Sequence, residues 1–163
     1  MRVPLIALPV IALPVIALAI VSCGSEPKPV ASEAAKKAEP PKPADESFRF
    51  ATANLVKTEV VDKALLGKTF MPGGTLAHYK KGKREYEMFA AKLASPTDAA
   101  ILLLDWNKAL ADAKLIASFG GYFGTDNGKP MFVFSKGDWI AGIAGLPEKE
   151  ADLESRTLAA HLN

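Results

Sequence analysis

Apolar side chains fall into three regimes along this chain. Val3 to Val21 is unbroken apolar sequence, and residues 24–47 hold one aliphatic larger than alanine, Val30. From Phe48 onward apolar and polar positions alternate in short runs. Only this third regime has the periodicity of packed secondary structure. Within it, residues 55–66 read as a short helix, with Leu55, Val56, Val60, Ala64 and Leu65 on one side. Met71-Pro72-Gly73-Gly74 breaks the chain, and residues 75–80 and 84–93 then read as two strands around a Lys81-Gly82-Lys83 turn. Ser95-Pro96-Thr97-Asp98 has the residues of a helix start: a serine cap, proline at the first helical position and an acid in the first turn. That helix is predicted to run to about Ala111, with Ala100, Leu103, Leu104, Ala109 and Leu110 on its inner face and Trp106 on the other side.

Residues 114–119 read as a further strand, followed by Gly120-Gly121-Tyr122-Phe123-Gly124 and an Asp126-Asn127-Gly128 turn. Residues 131–135 and 139–144 pair around Lys136-Gly137-Asp138. Pro147 opens a last helix, whose Ala151, Leu158, Ala159 and Leu162 form its docking face. The expected class is α+β: a two-layer antiparallel sheet with helices on one face. Strand, Lys-Gly turn, strand and proline-opened helix occur twice, so one reading is a duplicated strand-strand-helix unit.

The C-terminal hairpin carries more apolar surface than a one-sided sheet can bury. Phe132 and Phe134 alternate with Met131 and Val133, and Trp139 and Ile143 with Ile140 and Ala144. Two explanations follow. The 55–66 helix covers the far face, or Tyr122, Phe123, Phe132, Phe134 and Trp139 form a binding surface for a protein partner or a small apolar ligand. The glycines between the aromatics suit tight strand bending and close backbone packing.

The N-terminal run ends in Ile20-Val21-Ser22-Cys23-Gly24, which holds the only cysteine. Arg2 supplies a positive start, and Pro4, Pro9 and Pro14 interrupt the run; an interior proline costs a helix about 3 kcal/mol. The segment is close in length to the roughly 20 residues of a membrane span, which is the competing reading. The cysteine and its neighbours resemble the lipobox of bacterial lipoproteins. That resemblance implies a signal peptide over residues 1–22, diacylglycerol and a further acyl chain such as palmitate on Cys23, and a folded part outside the cytoplasmic membrane. Gly24 stands where an aspartate would favour inner-membrane retention, so the resemblance favours the outer membrane in an organism with two.

Residues 23–47 then read as the acylated cysteine and a tether, and residues 48–163 as a single domain. Positions 24–47 contain five prolines, five alanines and nine charged residues. So polar a segment is expected to stay disordered, with an extended reach of at most about 75 Å.

Composition excludes little but points away from nucleic acid: without Arg2 the chain has 19 basic against 18 acidic side chains. A lone cysteine allows no internal disulfide. His78 and His161 are the only near-neutral acid–base groups. His78 is predicted opposite Glu85 or Glu87, a constellation for a hydrolase or for a solvated cross-strand charge pair. The spacing fits no metal site, phosphate loop, calcium loop or nucleophile elbow, so no metal and no cofactor are expected. Residues 93–146 are similar to uncharacterised domains of bacterial lipoproteins, in which a Gly-Gly-Tyr-Phe-Gly stretch precedes a Lys-Gly hairpin; the resemblance implies no activity. The expectation is a lipid-anchored envelope lipoprotein with a non-enzymatic binding or assembly domain. The alternatives are an apolar-ligand sensor and a hydrolase using His78 with Glu85 and Glu87.

Overall fold

The computed structural model describes residues 42–163. The signal segment, Cys23 and most of the tether lie outside the described residues. Among those described, no helix is long and apolar enough to cross a membrane.

Seven strands form one antiparallel sheet, as expected for an α+β chain: β1 (Leu55–Lys63), β2 (Pro72–Lys81), β3 (Arg84–Lys92), β4 (Ala111–Ile116), β5 (Gly121–Asp126), β6 (Lys129–Lys136) and β7 (Trp139–Ala144). Their spatial order is β1-β2-β3-β7-β6-β5-β4. Two helices complete the body, α1 (Pro96–Ala109) and α2 (Glu148–Ala160). The first three strands form a meander. Helix α1 then carries the chain from the middle of the sheet to its far edge, and β4 to β7 meander back until β7 pairs with β3.

The segment read as a helix at 55–66 is strand β1 followed by a short turn. Val56, Thr58, Val60 and Val61 are β-branched, which disfavours helix and suits a pleated surface. Glu59 and Val61 pair with Leu76 and Gly74 in register with the sheet. In the β1–β2 connection Ala64 and Leu66 adopt left-handed conformations (φ 53° and 58°), between which Leu65 is driven into the core.

The helices lie on opposite faces of the sheet, correcting the expected one-sided layering. On one face α2 presents Ala151, Leu158 and Ala159, followed by Leu162, to Ala77, Tyr79, Met88, Phe132, Phe134, Trp139 and Ile143, with Phe50 alongside. On the other, Leu102, Leu103 and Trp106 of α1 meet Phe89, Met131, Val133 and Ile140, while Leu65 and Met71 extend the cover over Leu76. Both helices pack over β6 and β7. Every residue of β7 is buried, so the two-sided apolar hairpin is a central strand pair needing a lid on each face. The two strand-strand-helix units therefore do not repeat in space: α1 crosses to the other meander, whereas α2 folds back over its own.

The inner face of α1 also differs from expectation. Ala99, Leu102, Leu103 and Trp106 are buried, while Leu104 and Ile101 are half exposed. Trp106 sits edge-on to Phe70 at 5.3 Å and near Phe89 at 6.0 Å, and its Nε1 donates to Met71 Sδ at 3.1 Å. Ser95 Oγ accepts from the Asp98 backbone N–H, the expected cap. The folded body starts slightly before Phe48. The Glu46 N–H donates to the buried Thr75 hydroxyl at 3.1 Å, and Arg49 donates to Glu46 and to the His161 carbonyl.

Candidate functional site

The five aromatics predicted to form a binding surface do not converge. Phe132, Phe134 and Trp139 are almost fully buried. Phe119 stacks on Phe132 at 5.7 Å and packs at a tilt on Phe134 at 4.9 Å, and the Arg49 guanidinium covers Trp139 at 4.7 Å. Tyr122 and Phe123 are half-buried and pack into opposite cores, because successive residues of a strand point to opposite faces. Their apolar surface is spent on packing, and an aromatic ligand groove on this hairpin does not form.

Polar side chains do converge on the part of the α1-side face that α1 leaves open, at the hairpin end of β1, β2 and β3. Register places Lys57 beside His78 and His78 opposite Glu87. The His78 ring lies between two carboxylates, with Nε2 3.2 Å from Glu59 and Nδ1 3.3 Å from Glu87. Each carboxylate also meets a lysine: Lys57 to Glu59 at 3.0 Å and Lys129 to Glu87 at 2.6 Å. Glu85 is not on His78; it accepts from Lys80 at 2.9 Å. The proposed grouping of His78 with Glu85 and Glu87 is thus corrected to His78 with Glu59 and Glu87.

The Lys57 hydrogen bond, then that of His78, holds the Glu59 carboxyl below the usual carboxylate range. Lys80 does the same for Glu85, and Glu85 raises Lys80 in return. These groups are exposed, and water and salt screen their pairing. A groove of about 330 Å³ runs along them, lined by Val56, Lys57, His78, Glu85, Glu87 and Lys129 among others. A second, of about 650 Å³, lies between the β2–β3 turn and α2, where Arg84 pairs with Glu150 at 2.6 Å. Between the two, Tyr79 and Tyr86 stack at 5.0 Å. The Tyr79 hydroxyl donates to the Ala51 carbonyl, and burial pushes its ionisation far above the usual phenol range.

Chemically, the band is a row of paired charges rather than a convergent centre. The two carboxylates flank the imidazole from separate nitrogens, so the three groups do not aim at one point. Among the described residues no group of three or more His, Cys, Asp or Glu side chains is arranged to hold a metal. His161 lies at the end of α2, where its carbonyl accepts from Arg49. A helix over residues 55–66 gives Glu59 no place beside His78; strand β1 does. The signal was present: Lys57 and Glu59 alternate with Thr58 and Val60, a period of two.

No protein family model, no curated protein and no solved structure matches this chain.

Proposed function

We propose that this chain is a lipid-anchored lipoprotein of the bacterial cell envelope, with a non-enzymatic binding or assembly module as its folded body. The observation that supports this best is the charged band around His78. It is a polar strip on a core-filled plate, in which each carboxylate is held by a partner charge. Such a strip suits docking to a protein surface of complementary charge, where polar contacts fix orientation and partner choice. Of the aromatic side chains that an apolar-ligand module would use, Phe132, Phe134 and Trp139 are in the core, and Tyr122 and Phe123 pack into opposite sides of it. The lipobox-like Ile20-Val21-Ser22-Cys23 adds the address: acyl chains on Cys23 hold the body at the membrane, facing the periplasm, and Gly24 favours the outer membrane.

Labelling with radioactive palmitate in the producing bacterium tests the anchor. Wild-type chain is expected to carry label and sediment with membranes, and Cys23→Ser to do neither; equal labelling of the two defeats the assignment. A photo-crosslinker at Lys80 tests the band. It is expected to trap an envelope protein that the same probe at Leu104, on α1, does not.

A further inference from the structure

The two edges of the sheet are finished differently. Strand β4 is six residues long, its register shifts between Ala111 and Lys114, and Asp112 takes a left-handed conformation at φ 52°. Such features blunt an edge against pairing with another chain. Strand β1 is nine residues long and irregular only at its start, between Leu55 and Lys57. From Lys57 to Lys63 it is regular, contains no proline or glycine, and among the described residues pairs with β2 alone. Val56 and Val60 are exposed beside this free edge.

The sequence along it, Val56-Lys57-Thr58-Glu59-Val60, reads the same in chemical type from either end, with the charges inverted about Thr58. We propose that β1 is a self-association edge: two copies of this chain join antiparallel about a two-fold axis at Thr58, merging two sheets into one. Directly opposed residues of an antiparallel pair share a face. An axis at Thr58 sets Lys57 against the partner's Glu59, and Glu59 against the partner's Lys57, on the face that carries His78. Because Lys57 and Glu59 already pair within one copy at 3.0 Å, the four charges alternate around a ring. An axis one residue on would oppose Glu59 to Glu59, and one at Val60 would oppose Lys57 to Lys63, each setting like charges face to face. An axis at Val61 matches Glu59 with Lys63 but opposes Val60 to Asp62 and leaves Lys57 without an opposite charge. The interface is isologous, so it closes at two copies. This inference goes beyond the envelope reading and stands without it, since none of these residues depends on Cys23.

Full-length chain carrying Cys23→Ser provides the test. With Thr58→Cys added, the two thiols sit on the axis, where opposed Cα atoms about 4.5–5.5 Å apart fall within disulfide reach. Under mild oxidation this variant is expected to form a disulfide dimer at least ~10-fold faster than Leu115→Cys, on the other edge, or Val61→Cys. Sedimentation velocity supplies the second readout. Lys57→Glu and Glu59→Lys each set like charges across the axis and are expected to be monomeric where the parent is dimeric. Mixed in equal amounts they oppose unlike charges at every position and are expected to recover the dimer. A parent that is monomeric at ~1 mM, the weak end of specific association, overturns the proposal. So do equal crosslinking rates at Thr58 and Leu115, or faster crosslinking at Val61. The crosslinks need neither charge variant, so failure of one of those to fold does not rescue the proposal.

Discussion

Replacing Trp106 with alanine tests which face of α1 is inside. Trp106 is fully buried among Phe70, Met71 and Phe89, with Lys68 Nζ 5.8 Å from its ring. A buried tryptophan removes about 150–250 Å² from water, worth ~4–6 kcal/mol at about 25 cal/mol per Å². Compactness of the denatured chain reduces that by some tens of per cent, to ~3–5 kcal/mol, the range of measured Trp→Ala losses in cores. Domains have only about 5–15 kcal/mol to lose, so Trp106→Ala is expected to sit near the folding threshold. Leu104, two residues earlier, is 51 % exposed, and Leu104→Ala should cost below ~1 kcal/mol. Urea denaturation followed by far-UV circular dichroism, on chain carrying Cys23→Ser, compares the two. The midpoint is expected to drop steeply for Trp106→Ala and hardly at all for Leu104→Ala, with the slope unchanged for both. Equal shifts, or a larger one at Leu104, would mean that α1 docks through the Leu103–Leu104 side and that the assignment of the second core is wrong.

Three further outcomes are expected. A Cβ at Gly142 would lie 2.3 Å from the Phe132 carbonyl oxygen and 2.6 Å from Phe89 Cζ, both in the packed centre of the sheet. Gly142→Ala should therefore cost at least about 3 kcal/mol. Gly82→Ala meets open space and only the strain of a left-handed φ of 63°, roughly 1–2 kcal/mol; comparable losses in urea would refute the close approach. The Lys68–Asp126 pair, at 2.6 Å and mostly shielded from water, ties the β1–β2 connection to β5. Lys68→Met should cost about 1–3 kcal/mol, between exposed and fully buried pairs, and an unchanged urea midpoint would count against it. Glu85 has its folded pKa depressed by Lys80, so this contribution is present above the ordinary carboxylate pKa and is lost as pH falls through the folded value. Glu85→Gln should consequently lose less stability than wild type between pH ~7 and ~3. Identical pH dependence in the two would sink the pairing.

Local chemistry determined much of this protein. The Lys81-Gly82-Lys83 and Lys136-Gly137-Asp138 turns flanked by alternating side chains specified both hairpins, the Ser95-Pro96 start specified α1, and Ala151, Leu158, Ala159 and Leu162 specified the docking face of α2. These signals are short-range: a turn conformation, a cap and a period can each be read within about ten residues. The same turn limited the residue opposite His78 to Glu85 or Glu87, and the strand register selects Glu87. Whatever depends on which element lies beside which was decided only in the tertiary structure. The doubly apolar hairpin was visible in sequence, but whether a helix or a ligand covers its second face depends on where α1 goes after leaving β3. It crosses to the far edge and covers Met131, Val133 and Ile140, while α2 covers Phe132, Phe134 and Trp139 on the other face. Trp106 turned inward for the same reason, since a helix with apolar residues on several sides takes its inner face from the surface it meets. The charged band has the same origin. Glu59 is 19 positions from His78 in the chain, and only the pairing of β1 with β2 brings that carboxylate to the imidazole.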